Sequence, residues 1–488
     1  MKRAKTQSFS LELELKLNTK EHRFLDARGR SAASIYNDCL GQCVKRVHKL
    51  QHDPEYKDLV SQLKVLKDED AAASNIKSRL NEIRSYYGFA EYDIHEYVIS
   101  AKHHFNNLGI DECQTLATRA FSTAEKLLYG QASRVRFVSM NDDITIEGKS
   151  GKSTLKYKGD WKMQFGRGHV FSLIKPRNAK KLAYAEEALT HRVKYSRLCR
   201  RTIRGRVRYF AQFVLEGTPP GKNRAYGDHI PVGIDEGIST AAVSSGGHVK
   251  LHELAPGCMG DAKKVRRLQR AMDRSRRATN PDNYNDDGTI RKGRKTWVKS
   301  ARYLKLKKQY QDASRKLAFK RRMSHEQLAN RILSVGTDIR IETMFMKGLQ
   351  KRSKLTKKNA HGKNLSKKRF GKVLLSRAPA AFIAILERKL GYIGLSIDKK
   401  DTYSLKASQY DHSTDTYTKK QLKDRIITID GRTAQRDMYS AFLLEHAPDG
   451  TIDRDSCVKD FEVFSSACTK EIEHIRSSGN KHLLWYVT

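Results

Sequence analysis

Hydrophobic and polar residues alternate differently in successive parts of the chain. Residues 9–17 alternate with a period of two, which is typical of a half-buried strand. Residues 20–129 carry apolar positions at helical spacing, and the period of two returns over residues 133–216. In the latter, residues 144–146 and 154–157 predict a hairpin, and residues 207–215 predict a further strand. The pattern therefore predicts a β domain interrupted by a helical segment.

A second region, in which strands and helices alternate, begins near residue 229. Three apolar runs separated by glycine-containing turns predict an antiparallel meander. A long basic stretch at helical spacing follows. The predicted elements are strands 229–234, 238–244 and 248–251, helical residues 262–333, strand 338–342, helix 380–392, strand 394–397 and helix 436–444. The residues after 448 give no clear assignment.

Charge narrows the classes of partner. The 488-residue chain has 95 Lys and Arg against 54 Asp and Glu, which gives a formal charge of +41. Such an excess repels itself unless a polyanion neutralises it. The sequence has no run of about 18 apolar residues, so it predicts no membrane-spanning helix and favours nucleic acid. Its seven cysteines form no Cys-x-x-Cys pair, which predicts a reduced, cytoplasmic protein without a cysteine zinc site.

Three acidic residues of the second region lie at the ends of predicted strands or at the start of a predicted helix. Asp235 ends the first predicted strand, Glu342 ends strand 338–342, and Asp437 lies in the first turn of helix 436–444. In an RNase H-type fold, acids on the first strand, the fourth strand and a late helix converge. Carboxylates suit Mg²⁺, and two such ions can activate a water and stabilise the leaving oxygen during phosphodiester hydrolysis. Taken singly, each acid could instead be a turn residue, a salt-bridge partner or a helix N-terminal charge.

The motifs around these acids resemble those of the transposon-encoded TnpB nucleases and the compact type V CRISPR effectors descended from them. Residues 233–237 (Gly-Ile-Asp-Glu-Gly) look like the first RuvC motif of that family. Residues 339–344 are similar to its second motif, and residues 435–441 are similar to its third. The resemblance implies RNA-guided cleavage of double-stranded DNA beside a short flanking motif. It also implies a guide RNA, a DNA target and Mg²⁺ (or Mn²⁺) as cofactor, with one monomer per guide RNA favoured.

The resemblance also implies a fold class and a domain order. The fold is α+β and multidomain, with a β-barrel-like wedge domain, a helical recognition insert and an RNase H-like (RuvC) nuclease domain. That nuclease domain carries a degenerate zinc-ribbon-like insert. The implied domains are wedge residues 1–19, recognition residues 20–130, wedge residues 131–228, RuvC residues 229–405, the nucleic-acid-binding insert 406–434, and residues 435–488 with the third motif and a tail.

The insert departs from the family pattern. Tyr410, Ser413, Ile427 and Asp430 stand where the family has four zinc cysteines, so we expect an insert that binds no zinc. Asp411, His412 and Asp415 are either metal ligands or ordinary polar loop residues. Gln435 replaces the first Asp of the family's third motif. Arg425 matches a family arginine that could contact the scissile phosphate, and a solvated basic residue is the alternative.

Basic residues cluster in two further places, where they favour contacts to phosphates over a merely solvated surface. The candidate nucleic-acid-binding residues are Lys263, Lys264, Arg266, Arg267, Arg270, Lys351, Arg352, Lys354, Lys357, Lys358, Lys363, Lys367, Lys368 and Arg369. Two other functions stay open. A guide-dependent repressor that binds DNA without cutting would not need the acids. A guide-independent, structure-specific nuclease would not need about 230 residues of basic sequence before its nuclease fold.

Overall fold

The computed structural model describes residues 6–66, 71–104, 107–140, 142–166, 168–221, 226–353, 355–362, 365, 370–421 and 423–488. The chain divides into two compact units, Met1–Pro220 and Gly221–Thr488. Both contain helices and sheets, so the protein is a mixed α+β protein with more than one domain. The predicted boundaries after residues 19, 130, 405 and 434 lie inside these units and remain predictions.

The first unit is built from a seven-stranded sheet and a set of helices. Its helices are α1 (Thr19–His52), α2 (Pro54–Leu63), α3 (Ala71–Tyr86), α4 (Glu91–Ala101), α5 (Ile110–Leu128) and α6 (Ala179–Thr190). Its strands are β1 (Ser8–Lys16), β2 (Thr145–Glu147), β3 (Leu155–Gly159), β4 (Lys162–Phe165), β5 (Val170–Leu173), β6 (Val193–Ile203) and β7 (Arg206–Glu216).

Strand β1 joins the two parts of this sheet. The strand order is β2-β6-β7-β1-β5-β4-β3, and β1 pairs antiparallel with both β7 and β5. Its Phe9, Leu11 and Leu13 are buried, as the period of two predicts. Helices α1–α5 therefore lie in the sequence between two strands of one sheet, and one continuous apolar core is shared by the helices and the sheet.

The predicted hairpin between residues 144–146 and 154–157 is wrong. Both strands exist, but β2 pairs with β6 and β3 pairs with β4. Gly148 continues the pairing to β6, because its N–H donates to the carbonyl of Ser196 at 3.0 Å. A local alternation predicts that a strand forms, whereas its partner is decided by contacts that are distant in sequence.

The second unit contains a five-stranded sheet covered by helices. Its strands are β8 (Pro231–Glu236), β9 (Thr240–Ser245), β10 (His248–Glu253), β11 (Asp338–Glu342), β12 (Asp398–Lys400), β13 (Tyr410–Asp411), β14 (Thr416–Tyr417), β15 (Ile426–Ile429) and β16 (Arg432–Gln435). Its helices are α7 (Cys258–Thr279), α8 (Ala301–Leu333), α9 (Met346–Leu349), α10 (Gly371–Arg377), α11 (Pro379–Gly391), α12 (Thr402–Leu405), α13 (Arg436–Glu445), α14 (Arg454–Ser477) and α15 (Lys481–Val487).

The main sheet has the order β10-β9-β8-β11-β12. Strands β8, β9 and β10 form the predicted antiparallel meander, whereas β11 runs parallel to both β8 and β12. Val232, Ile234 and Ile341 pack on one face with helices α8 and α11. Helices α13 and α14 cover the opposite face. Residues 233, 235 and 342 point toward that opposite face, because side chains alternate along a strand.

One other strand prediction is wrong. The strand expected at residues 394–397 lies instead at Asp398–Lys400, an edge strand whose Lys400 side chain donates to the carbonyl of Pro448. The unassigned tail forms α14 and α15. All seven cysteines are buried and unpaired with one another. Over the described ranges, no helix has the length and apolar character that a membrane crossing needs.

Candidate active site

Asp235 is the penultimate residue of β8, and Glu342 is the last residue of the neighbouring parallel strand β11. In the register of β8 and β11, Ile234 lies opposite Ile341, so the next position along each strand carries one of the two acids. Because Ile234 and Ile341 point into the core beneath α8 and α11, both carboxylates point toward helix α13. Each strand is an apolar run followed by an acid, so the two acids lie side by side near the C-terminal ends of β8 and β11.

Helix α13 brings the third acid to the same end of these strands. Asp437 lies in its first turn, and Gln435 caps the helix by accepting the Met438 N–H at 2.7 Å through its side-chain oxygen. Gln435 is fully buried. Gln435, which stands where the resembled motif has Asp, is therefore the N-cap of α13. The side-chain oxygen of Gln can accept this hydrogen bond as that of Asp does.

Burial and the charges of the other two acids both act on Asp235. Burial raises the pKa of Asp235 well above its usual value, and the negative charges of Asp437 and Glu342 raise it further. The positive charge of Arg436 opposes this shift. Like charges brought together in a partly buried place repel one another, and a bound cation would relieve that repulsion.

The other two carboxylates are held by their own partners. Arg436 donates to Asp437 Oδ1 at 2.9 and 3.2 Å, and Arg425 Nη1 lies 3.8 Å from Asp437 Oδ2. Glu342 accepts the backbone N–H of Ala407 at 2.9 Å. Burial raises the pKa of Glu342, and the nearby charge of Asp401, which the sequence analysis did not single out, raises it further.

Among the described residues, no three His, Cys, Asp or Glu side chains are gathered tightly enough to hold a metal ion. One oxygen of each carboxylate is hydrogen-bonded elsewhere: Asp437 Oδ1 accepts from Arg436, and Glu342 Oε1 accepts from the Ala407 N–H. The donor set nevertheless suits a hard divalent cation, since it consists of carboxylates whose charges repel one another. A cation would have to draw these oxygens from their present partners.

Arg425 reaches the site through the β15–β16 hairpin. The hairpin turns at Asp430 and Gly431, which both have positive φ, and at its base the Arg436 N–H donates to the Arg425 carbonyl at 2.9 Å. The Arg425 side chain is 12% exposed and stacks on Trp485 and Tyr486, at 4.2 and 4.9 Å from the ring centroids. It is thus held beside Asp437 rather than extended into solvent.

The insert is held together by packing and hydrogen bonds. Tyr410 is buried, and its hydroxyl donates to Asp415 at 2.8 Å. His412 Nδ1 lies 2.7 Å from the hydroxyl of Tyr439 on α13. Asp411 accepts from the N–H and hydroxyl of Ser413, at 3.0 and 2.6 Å. Asp411, His412 and Asp415 therefore have the contacts of ordinary polar loop residues.

Sequence reasoning missed Trp485 and Tyr486. Both lie on α15, which Asn480 caps by accepting from the N–H groups of His482 and Leu483. An Asn before a short apolar run is a recognisable helix start, so α15 itself was within reach of the sequence. Nothing local indicates that this helix lies beside Arg425.

The first basic cluster lies on helix α7, which packs against α8. Lys263, Lys264, Arg267 and Arg270 are exposed, and Arg266 is half-buried. In the second cluster, Lys351, Arg352, Lys357 and Lys358 are exposed. Lys354, Lys363, Lys367, Lys368 and Arg369 lie outside the described residues.

No protein-family model matches the chain, and no curated protein matches it. Among solved structures, it is similar to a cryo-EM structure of a Cas12f1–sgRNA–target DNA complex, with 12% identity and a TM-score of 0.47. That match covers 91% of this chain and 99% of the other. It is also similar to a CRISPR–Cas12f ternary complex, with 12% identity and a TM-score of 0.24, over 88% of this chain and 82% of the other.

Proposed function

We propose that this protein is an RNA-guided endonuclease that hydrolyses phosphodiester bonds of double-stranded DNA beside a short flanking motif. One observation carries the proposal. Asp235 and Glu342 follow the paired residues Ile234 and Ile341 on β8 and β11, and helix α13, which carries Asp437 in its first turn, packs against β8. Three converging carboxylates, on elements of the order expected for an RNase H-type nuclease, suit metal-dependent hydrolysis.

The topology supports the same proposal. A central strand β8 that pairs antiparallel on one side and parallel on the other is what an RNase H-type (RuvC) domain requires. The hairpins at residues 410–435 correspond to the proposed insert that binds the target nucleic acid. We propose the wedge and recognition roles for the sheet and helices of the first unit.

In this mechanism, Asp235, Glu342 and Asp437 would hold two Mg²⁺ ions through their carboxylate oxygens. The ions, when bound, supply an activated water and stabilise the leaving oxygen. Arg436 orients the Asp437 carboxylate, because it donates two hydrogen bonds to Oδ1. Arg425, whose side chain is kept in place by two aromatic rings, would contact the phosphate as its charge grows.

The proposed partners are a guide RNA and a double-stranded target DNA, with one protein monomer per guide favoured. A charge of +41 exceeds what one short stretch of duplex in a nuclease cleft would neutralise. The exposed cations of α7 provide contacts to phosphates without reading sequence, which suits an enzyme whose specificity comes from base pairing with a guide.

The experiment that tests this function starts from the protein purified with its bound RNA. The RNA is sequenced, and its variable segment is replaced so that it matches a new DNA site beside the same flanking motif. We expect cleavage to move to the new site. If RNA-free protein still cuts one sequence specifically, a guide-independent nuclease is the correct assignment. If the loaded protein binds the new site and leaves it intact with Mg²⁺ present, a repressor is the correct assignment.

A further inference from the structure

Trp485 is an exposed aromatic residue at the edge of the candidate active site. Arg425 covers one region of its ring, at 4.2 Å from the centroid, and Tyr486 meets the ring edge-on at 4.9 Å. Even so, 58% of Trp485 remains exposed. A large ring left open to solvent beside a cation is an uncommon use of tryptophan, which normally buries most of its area.

The position of Trp485 is fixed by its neighbour. The Tyr486 hydroxyl lies 2.8 Å from the hydroxyl of Ser239, in the turn that follows Asp235. The Tyr486 carbonyl accepts from the Gln435 side chain at 3.4 Å, next to Asp437. Helix α15 is therefore tied to the segments that carry two of the three acids, and Trp485 is held at a set distance from them.

Arg425 gives this surface its charge preference. Its Nε is buried and has no hydrogen-bond partner among the described residues. Its Nη1 is 3.8 Å from Asp437, too far for a strong hydrogen bond. The guanidinium thus has donor capacity that its described neighbours leave unused, beside Asp437 of the proposed site. An aromatic face next to such a donor matches a nucleotide, whose phosphate and base present an anion and a flat ring.

We propose that Trp485 is a positioning residue that stacks on one base of the DNA strand being cut, next to the phosphate that Arg425 contacts. This inference rests on the proposed nuclease function. Stacking is sequence-tolerant, because every base has a flat π face, so it suits an enzyme that cuts whatever sequence its guide selects. The stack would fix the strand's register relative to Asp235 and Asp437.

The test combines a protein variant with a DNA variant. Trp485→Ala and Trp485→Phe are compared with wild type on guide-matched targets, each containing one abasic position in the cleaved region. We expect one abasic position to raise KM about tenfold for wild type and to add nothing for Trp485→Ala. Trp485→Phe, which keeps a ring, should respond to that position as wild type does. Val458→Ala on α14 is the matched control, since Val458 is also 58% exposed.

A binding readout that needs no cleavage separates this inference from the proposed function. The chain has three tryptophans, so Trp161→Phe with Trp297→Phe leaves Trp485 as the only strong emitter. Added target DNA should quench its fluorescence in EDTA, and the critical abasic position should relieve the quenching. If DNA quenches the fluorescence but no metal ion supports cleavage, the nuclease function is refuted and the stacking of Trp485 on a base is supported.

Three results would overturn the stack. The first is that both wild type and Trp485→Ala cleave DNA and that abasic positions raise KM equally in the two proteins. This result would leave the nuclease function supported. The second is fluorescence that DNA leaves unchanged. The third is a change of oligomeric state in Trp485→Ala without any base dependence, because it would assign Trp485 to a protein interface.

Discussion

A Cβ atom on Gly233 would lie 1.9 Å from the carbonyl oxygen of Ala441 and 2.4 Å from the backbone nitrogen of Glu445. Helix α13 therefore rests directly on strand β8, with no side chain between the backbones. Asp235 lies two residues further along the strand, roughly 6.6 Å away. Asp437 lies one turn before Ala441, about 6 Å along the helix. Because the two distances are similar, the close approach at Gly233 places Asp235 and Asp437 beside each other.

Gly233→Ala should damage both folding and chemistry. The added methyl group meets backbone atoms, which cannot rotate away, so helix α13 must shift. We expect a loss of about 2–3 kcal/mol in the free energy of unfolding. Displacing Asp437 by about 1 Å should also lower cleavage roughly 100-fold. Denaturant unfolding and single-turnover cleavage measure the two effects.

The control for this variant is Gly260→Ala in helix α7, where an added Cβ meets nothing within 4 Å. It should raise stability by up to about 1 kcal/mol, because Ala is a better helix former. A Gly233→Ala protein with normal stability and normal cleavage would show that the spacing of β8 and α13 does not set the site.

The insert should need no zinc to keep its shape. Its core is made of Tyr410, Ile429 and Ala434, and His412 is bound to the Tyr439 hydroxyl. We expect purified protein to contain no stoichiometric zinc and EDTA to leave its unfolding temperature unchanged, whereas cleavage requires added Mg²⁺ or Mn²⁺. One mole of tightly held zinc per chain, found by elemental analysis, would contradict this.

The second unit should lose stability in mild acid through His252. Burial, with the nearby charges of Arg331, His248 and Lys250, lowers the pKa of His252 to about 4. In the unfolded chain this group takes up a proton near pH 6.5. Below that pH the unfolded state binds more protons, so stability falls as the pH drops from about 6.5 toward 4.

His252→Gln should reduce that loss, and His229→Gln at an exposed position should not. Melting temperatures at pH 7.5 and pH 5, measured in EDTA, give the comparison. If His252→Gln and wild type lose the same number of degrees between the two pH values, His252 is not an acid-sensitive group of this fold.

The exposed cations of α7 should contribute affinity rather than chemistry. Replacing Lys263, Lys264, Arg267 and Arg270 by Gln should weaken nucleic-acid binding. It should also make the negative slope of log K against log salt shallower by roughly three to four. Cleavage at saturating protein should persist. Lys459→Gln with Lys470→Gln on α14 serves as a control for lost surface charge. An unchanged salt slope in the α7 variant would remove this helix from the binding surface.

The sequence predicted what is local and missed what depends on distant partners. Strand 338–342 and helix α13 were predictable, and the strand predicted at 229–234 is found at 231–236, because apolar runs and a helix start surround each acid. The pairing of β2 with β6 was not predictable, since hydrogen bonds between residues 50 to 54 positions apart leave no local pattern.

The candidate site shows the same division. The positions of Asp235, Glu342 and Asp437 in their elements follow from short motifs, whereas the contact between Arg425 and Trp485 joins two segments that carry no shared signal. The edge strand Asp398–Lys400 was misplaced for a related reason. Its residues are charged, and the buried Lys400 is satisfied by a carbonyl from a distant loop.

Asp235, Glu342 and Asp437 are proposed to form a metal-dependent nuclease site. The most direct measurement is Mg²⁺-dependent cleavage of a guide-matched DNA duplex by wild type and by Asp235→Ala, Glu342→Ala and Asp437→Ala, each loaded with the same RNA. We predict that every variant binds the duplex with nearly wild-type affinity and that none cleaves it. Undiminished cleavage by any well-folded variant would contradict the account and remove that residue from the site.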